Sequence, residues 1–117
     1  MSKRRVDRRL ASAAVLFAAL GDAARLALVD RLAGAGPASI SSLAQDYGLI
    51  SRQGVTKHLQ VLASAGIVQG QRRGREHVWA VNQARLDEAR RSLDAIGRRW
   101  DEGLARLKAH VERTQDT

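Results

Sequence analysis

Cysteine is absent from the 117 residues, and the chain holds one proline, one tyrosine, one phenylalanine and two tryptophans. Without cysteine the protein has no disulfide, no thiolate nucleophile and no thiolate metal ligand, which suits a reducing compartment and makes the cytoplasm the expected location. Aromatic residues make up 3% of a chain that is 44% hydrophobic, a composition that favours helices over a β-sandwich. At this length we expect a single domain.

A long apolar run is also missing. The longest candidate, residues 10–20, spans 11 residues and includes Ser12, which is too short to cross a bilayer. The basic start MSKRRVDRRL is not followed by a convincing cleavage site, so we do not interpret it as a signal peptide. We therefore expect a soluble protein with no membrane partner.

The chain lacks the fingerprints of catalysis and cofactor binding. Ser51 and Ser64 have no His and Asp in a nucleophile-elbow context, and the glycine spacings match neither a phosphate-binding loop nor a dinucleotide fingerprint. We therefore expect a protein that is not an enzyme and that carries no cofactor.

Positive charge is in excess. The net charge of +8 comes from 20 basic and 12 acidic residues, which indicates a polyanionic partner such as nucleic acid. No acidic residue lies between Asp46 and Glu76, where five basic residues concentrate: Arg52, Lys57, Arg72, Arg73 and Arg75. Residues 84–117, with eight basic and seven acidic side chains, are nearly neutral. The alternative is a solvated basic surface without such a partner.

Apolar spacings of three and four predict four helices in the first half of the chain. Asp22 and Ser51 are placed as N-caps of the second and fourth helices, a serine within residues 39–42 as that of the third, and Gly66 as the end of the fourth. The predicted apolar faces are Val6, Leu10, Ala13, Phe17 and Leu20; Leu26, Val29 and Leu32; Leu43 and Ala44; and Val55, Leu59 and Leu62.

After Gly66 the apolar period changes to about two. Ile67 and Val68, then the tip QGQRRGRE, then HVWAV predict a β-hairpin with a flexible, charged loop. From residue 84 to 111 helical spacing returns as nearly a heptad seam, predicting a helix about 42 Å long, more than so small a body can cover. Part of that seam therefore needs another surface. Whether the helix is continuous or kinks at Gly97 and Gly103 stays open.

The predicted order α-α-α-α-β-β-α describes a mainly α protein with a β-hairpin, arranged as a winged helix-turn-helix. The N-terminal turns of its fourth helix carry groups that read base edges in a major groove: Gln53 for adenine, Arg52 or Lys57 for guanine. The wing arginines would reach an adjacent minor groove or the phosphate backbone. The full set of predicted DNA-binding residues is Ser51, Arg52, Gln53, Thr56, Lys57, His58, Gln60, Arg72, Arg73 and Arg75.

Three segments resemble the ArsR-type family of bacterial repressors: LGDAARLALVDRLA, SISSLAQDYGLISRQGVTKHLQVLASAGIV and QRRGREHVWAVN. The similarity covers roughly residues 16–82, and VTKHLQVLASAGIV followed by a GR-containing wing is its most diagnostic part. Ala23 departs from the family, which usually has proline there. The resemblance implies a homodimer that represses transcription at a palindromic operator in double-stranded DNA, with the first and last helices in the dimer interface.

The resemblance divides the single domain, residues 1–117, into a dimerisation helix (1–20), a DNA-binding core (21–81, with the wing at 67–81) and a second dimerisation helix (82–113). The predicted interface residues are Leu10, Phe17, Leu93, Ile96, Trp100, Leu104 and Leu107. In the alternative interpretation, these two apolar faces pack on one another within a monomer.

Many members of the family sense metal ions, through a cysteine on helix three or paired histidines and carboxylates on helix five. This chain has neither arrangement, since the last helix offers only His110 near Glu112. A dimer could still join Asp101 or Glu102 of one chain to His110 of the other, although such side chains usually face solvent. The chain therefore resembles the cysteine-free subgroup, and we expect no metal and an inducer that the sequence does not identify.

The other two histidines and a tryptophan complete the set of singled-out residues. His58 either supports helix four or touches a phosphate, and the sequence leaves both roles open. His77 is expected as a surface residue of the hairpin, and Trp79 as the anchor of the wing on the core.

A second function class stays open beside DNA binding. The hairpin and long helix could serve a protein–protein interaction module whose charge is incidental. The two functions differ in the expected salt dependence of binding.

Overall fold

The computed structural model describes residues 7–46, 48 and 51–115. Its elements are α1 (Arg8–Leu20), α2 (Ala23–Ala35), β1 (Ala38–Ser39), α3 (Ile40–Asp46), α4 (Arg52–Ser64), β2 (Val68–Arg73), β3 (Glu76–Val81) and α5 (Gln83–Gln115). This confirms a mainly helical chain with an antiparallel hairpin. Val6, assigned to helix one, lies outside the described residues. So do residues 49 and 50, which connect the predicted third and fourth helices.

The helices begin at the polar side chains that the sequence predicts. Asp22 Oδ1 accepts a backbone N–H three residues on at 3.0 Å, and Ser51 Oγ does the same at 3.1 Å. Ser39 Oγ accepts the N–H of Ser42 at 3.1 Å and so begins α3. Each cap satisfies a donor that the first helical turn leaves unpaired, which fixes where the helix starts.

β1 is a strand that the sequence analysis missed. It joins a three-stranded antiparallel sheet in the order β1-β3-β2, with Ala38 opposite Trp79 and Ser39 opposite Val78. Two residues are too few to show the alternation by which strands are recognised. Because β1 runs directly into α3, the start of that helix is fixed to the wing.

The connection from α4 to the wing is a tight helix end. Ala65 is the C-cap, and Gly66, one residue later, takes a φ of 77°. The N–H of Ile67 donates to the carbonyl of Leu62 at 2.9 Å. This is the Schellman arrangement, and it requires a positive φ that glycine adopts without strain. It directs the chain from α4 straight into the wing.

Backbone pairing extends further along the wing than the sequence analysis predicted, since that analysis placed the basic tip in a flexible loop. The ladder runs from Val68 opposite Val81 to Arg73 opposite Glu76, so only Gly74 and Arg75 form the turn. Gly74 has a φ of 64°, as the first central residue of a type II′ turn does. Placing the whole basic tip in a loop was wrong, because paired strands tolerate arginine on their exposed positions.

The core lies between the first four helices and the sheet, and the predicted stripe of α4 is its centre: Val55, Leu59 and Leu62 have 0% exposure. Two faces were assigned partly wrongly. In α2, Leu28 is buried, whereas Leu26 is 53% exposed. In α1, Leu16 is fully buried and Phe17 is half-buried against the core. A helix with many apolar residues has several stripes of helical spacing, so periodicity does not say which one faces the core.

α5 is a single helix of 33 residues, about 50 Å long, and it is helical through Gly97 and Gly103. Ala89 is the one buried residue among these 33. The principal extents of the molecule are 74 × 34 × 23 Å, and its radius of gyration is 20.1 Å. A compact chain of this length would have a radius of about 13 Å. The far half of α5 therefore projects beyond the body.

Arg85 fastens the near end of α5 to the body. Its Nε donates to the carbonyl of Ala65 at 3.0 Å, and its Nη1 donates to Ser12 Oγ at 2.8 Å and to Glu88 Oε2 at 2.6 Å. One guanidinium thus joins α5, the end of α4 and α1. Sequence analysis did not single out this residue, because the two partners outside its own helix, Ala65 and Ser12, are distant in the chain.

Within the described residues, no single helix is long and apolar enough to cross a membrane. The helices α1 and α2 reach that threshold only when taken together, and they meet at an angle of 98°.

Candidate nucleic-acid interface

α4 separates its two faces completely. The stripe that contains Leu59 is buried, while the side chains of Arg52, Gln53, Lys57 and Gln60 are exposed together with Ser51. Thr56 and His58 are half-buried. The first two turns of the helix therefore present polar groups to solvent, as a helix that enters a major groove must.

Two of these polar side chains already have partners in the free protein. Arg52 Nη2 donates to Ser41 Oγ at 2.9 Å, and Thr56 Oγ1 donates to the carbonyl of Arg52 at 2.8 Å. Gln53 and Lys57 make no side-chain hydrogen bond or ion pair with any described residue. Gln53 is thus the free side chain on this helix best suited to paired hydrogen bonds with a base.

The wing presents its arginines on two faces. Arg72 lies opposite His77 in the ladder and shares its face with Trp79, whereas Arg73 lies on the other face and Arg75 in the turn. All three arginines are exposed. Their guanidinium groups have no ion-pair partner among the described residues, so their charge is available to a polyanion.

A groove of about 210 Å³ separates the start of α4 from the wing. Its polar lining includes Ser41, Arg52, Arg75 and His77. The imidazole of His77 stacks on the indole of Trp79, with ring centroids 4.9 Å apart. His77 is exposed and Trp79 is buried, as expected. Ser41 and His77 were not assigned to the interface from sequence, although the i, i+2 spacing of His77 and the anchor Trp79 indicated a shared face.

His58 lies at the edge of α4 that faces the start of α2. The pKa of the Asp22 carboxyl is held below its usual value of 3.8, chiefly by the hydrogen bond from the Arg25 amide. Desolvation opposes this shift, and the charge of Arg25, the Ala24 amide and, least of all, His58 add to it. The half-buried side chain of His58 fits both roles that the sequence leaves open, support of α4 and contact with a phosphate.

The predicted interface residues of α5 extend from its near half, at Leu93 and Ile96, into its projecting half. Leu93, Ile96, Trp100, Leu104 and Leu107 are between 47% and 67% exposed, and Leu10 on α1 is 40% exposed. Most of the predicted dimer-interface residues on α1 and α5 are thus exposed in the single chain. Phe17, which is half-buried, is the exception. Part of this predicted interface borders a cleft between the start of α1 and α5.

In the part of the chain that the structure describes, no group of three or more His, Cys, Asp or Glu residues is placed to hold a metal ion. His110 and Glu112 lie exposed near the end of α5.

Comparison with known proteins identifies relatives that share this fold. A helix-turn-helix domain family matches residues 20–71. The HTH-type transcriptional regulator Rv2034 of Mycobacterium tuberculosis is 37% identical over 89 residues, which cover 76% of this chain and 81% of that protein. The solved structure of an ArsR-like transcriptional regulator from Rhodococcus sp. RHA1 is 38% identical, with a TM-score of 0.74, and the match covers 85% of this chain and 92% of that one.

A third match carries the same fold. The solution structure of a homodimeric winged helix-turn-helix DNA-binding domain from Mycobacterium bovis, a possible ArsR-family regulator, is 24% identical, with a TM-score of 0.61. It covers 88% of this chain and 94% of that one.

The fold and the polar end of α4 thus define a winged helix-turn-helix protein. The chain belongs to the ArsR-type family of transcriptional regulators. This family consists of helix-turn-helix regulators and is not an enzyme family.

Proposed function

We propose that the protein binds double-stranded DNA in a sequence-specific manner and acts as a dimeric repressor at a palindromic operator. The observation that carries this proposal is the common orientation of α4 and the wing. Arg52 at the start of α4 and Arg75 in the turn of the wing line one groove, and Gln53 and Lys57 are exposed on the same helix as Arg52. A protein surface that joins base-reading groups to phosphate-binding groups fits duplex DNA.

Each part has a distinct role in this proposal. Gln53 and Lys57 read base edges in the major groove. Arg52 joins them when its guanidinium gives up the hydrogen bond to Ser41 and binds guanine or phosphate instead. Arg72, Arg73 and Arg75 bind the backbone or the adjacent minor groove, which contributes affinity that does not depend on sequence. Ser51, Thr56, His58 and Gln60 complete the proposed set.

The dimer follows from the apolar surface that a single chain leaves open. The projecting half of α5 exposes large apolar side chains over several turns, and Trp100 is the most exposed of them at 67%. Monomeric proteins rarely expose contiguous apolar patches of this kind. The homodimeric relative of the same fold supports pairing of two copies, and two-fold symmetry matches a palindromic operator.

The remaining parts of the proposal come from the family. Repression is the role that the resemblance implies, and a regulator of transcription works where the bacterial chromosome lies, in the cytoplasm. The proposal includes no metal and no cofactor, and it leaves the chemistry of the inducing signal unassigned.

The test is binding to a DNA fragment from upstream of the protein's own gene, compared with random DNA over a range of salt concentrations. The affinity should fall linearly on logarithmic axes, and Arg73→Ala should weaken binding to both DNAs and reduce the slope by about one. Gln53→Ala should instead lower the preference for the upstream fragment by about 1–3 kcal/mol. Arg98→Ala, on the far half of α5, is the matched control and should leave both affinities unchanged.

If both variants bound both DNAs equally and without dependence on salt, the assignment of this surface as the DNA-binding site would be wrong. Failure of the parent protein to bind any duplex would favour the alternative function, a protein–protein interaction module.

A further inference from the structure

A cleft of about 550 Å³ lies between the start of α1 and the near half of α5. Its volume is within the range of about 300–1,000 Å³ that is usual for sites that bind small molecules. None of its lining residues belongs to the proposed DNA-binding surface. The cleft is therefore a feature of the fold that the proposed contact with DNA does not use.

The inner wall of the cleft is apolar and is built from small side chains. Ala13 on α1 is buried and Ala95 on α5 is half-buried, and Leu10 and Ile96 border the same space. Because alanine fills little volume, the two helices leave an open apolar space where larger side chains would pack against each other. An apolar group that enters this space removes its surface from water, which is favourable.

The outer part of the cleft is lined by four arginines, Arg8 and Arg9 on α1 and Arg91 and Arg99 on α5. All four are exposed, and none of their guanidinium groups makes a hydrogen bond or an ion pair with a described residue. Arg91 and Arg99 lie four residues before and after Ala95, or about 6 Å to either side of it along the helix axis. Positive charge thus lies on both sides of the apolar wall.

The two carboxylates that line the cleft do not cancel this charge. Asp7 is the N-cap of α1, and its Oδ1 accepts the backbone N–H of Arg9 at 2.8 Å. Glu88 Oε2 accepts a hydrogen bond from Arg85 Nη1 at 2.6 Å. Both carboxylates therefore have partners already, and the four arginines of the cleft outnumber them. The cleft combines an apolar wall with an excess of positive charge.

We propose that this cleft binds an amphipathic organic anion, a carboxylate that carries an apolar body. The guanidinium groups donate paired hydrogen bonds to the carboxylate, because their planar fork matches its geometry and they stay charged at any physiological pH. The apolar body lies against Ala13 and Ala95. This binding does not depend on whether the protein binds DNA.

A second copy of the chain matches the cleft less well in charge. Residues 84–117 carry eight basic and seven acidic side chains, and α1 carries two arginines and no acidic residue. A copy that packed these helices here would bring no surplus of negative charge for the four guanidinium groups. Because Leu10 and Ile96 also belong to the predicted dimer interface, the experiment must still distinguish a small ligand from a second copy.

Isothermal titration calorimetry with decanoate, kept below its micellar concentration, tests the proposal. Decanoate should bind saturably, at one site per chain. Acetate has the same charge without the apolar body, and decyltrimethylammonium has the same alkyl chain with the opposite charge. Both should bind at least about tenfold more weakly than decanoate, because each lacks one of the two matches to the cleft.

The variants use a matched pair of charge changes. Arg91→Ala with Arg99→Ala should weaken decanoate binding at least about tenfold, because it removes charge-assisted hydrogen bonds. Arg90→Ala with Arg98→Ala removes two exposed arginines that do not line the cleft, so it lowers the net charge equally and should bind decanoate as the parent does. Ala95→Phe fills the apolar space and should also weaken binding at least about tenfold. Circular dichroism shows whether each variant keeps its helices.

Several results would overturn the proposal. Equal losses in the two double variants would show attraction to surface charge in general, and acetate binding as tight as that of decanoate would show a site for simple anions. The absence of saturable decanoate binding would show that the cleft is not a ligand site.

Sedimentation at the same protein concentrations tests the second copy as the occupant. If the affinity for decanoate fell as dimers formed, the partner copy would occupy the cleft and the proposal would be wrong. A parent protein that bound decanoate as expected but bound no DNA would leave this site intact and overturn only the proposed function.

Discussion

The helices α4 and α5 are both amphipathic, yet their apolar stripes have opposite surroundings. The stripe of α4 is buried to 0% exposure, whereas the stripe of α5 is 43–67% exposed and consists of Leu93, Ile96, Trp100, Leu104, Leu107 and Val111. The polar faces differ as well, since α4 presents exposed polar and basic side chains near the basic wing and α5 carries nearly balanced charge. Apolar spacing alone thus indicates a stripe that needs cover, and only the fold shows whether the same chain supplies it.

The largest effect expected from this comparison is on the buried stripe. Leu59→Ala should lower the free energy of unfolding by about 2–5 kcal/mol, because it leaves a cavity in the centre of the core. Urea denaturation at fixed protein concentration measures this. Val61→Ala on the same helix, at a position 42% exposed, should cost much less. Equal losses for the two variants would contradict the division of α4 into a buried and an exposed face.

The second effect concerns the exposed stripe. Trp100→Asp should raise the dimer dissociation constant at least about 30-fold, equivalent to about 2 kcal/mol, because it places a charge at an apolar contact. Analytical ultracentrifugation should then show monomers at micromolar protein concentrations. Leu26→Asp provides the control, since Leu26 is comparably exposed but lies on α2, away from the stripe. An unchanged mass for Trp100→Asp would mean that the stripe does not pair.

A smaller effect is expected at Arg85, which joins the start of α5 to the end of α4. Arg85→Ala removes the hydrogen bonds to Ala65 and Ser12 and should reduce the free energy of unfolding by about 1.5 kcal/mol. Chemical denaturation gives the value, and hydrogen exchange should show faster opening at the start of α5. Arg98→Ala removes an exposed arginine of the same helix and should change neither. If both variants behaved alike, α5 would not depend on this guanidinium.

The smallest effect is at the start of α2. Because the pKa of Asp22 is lowered in the folded state, its contribution to stability is present above the unfolded value near 3.8 and is lost as the pH falls through the folded pKa. Asp22→Asn keeps an N-cap oxygen but cannot titrate, so stability below about pH 4 should depend less on pH than in the parent. Thermal melts at pH 3 and pH 7 measure the difference. The same slope in both proteins would assign the acid sensitivity to other carboxyl groups.

Much of the fold could be predicted because local signals are strong in this chain. The caps at Asp22 and Ser51, the buried stripe of α4 and the change of period after Gly66 all act within a few residues of one another. What was missed depends on distant contacts. Leu26 and Leu28 both fit helical spacing, and only packing against the sheet selects Leu28. β1 gains its identity from Trp79 and Val78, some forty residues later.

The candidate site divides in the same way. Base-reading side chains were predicted from residue type at the start of a helix, and the structure places Gln53 and Lys57 on its exposed face. Ser41 and His77 could not be assigned, because α4 and the wing form a groove only after β1 and β3 have paired. Arg85 was missed because its partners belong to three elements.

The amino-acid sequence by itself determined where the helices start, which side of α4 is apolar and where positive charge concentrates, since each depends on neighbouring residues. Tertiary structure alone decided which stripe the chain buries and which it leaves open. Burial depends on surface brought from elsewhere in the chain, and the body ends before α5 does. That mismatch in length leaves Trp100 and its neighbours exposed to solvent.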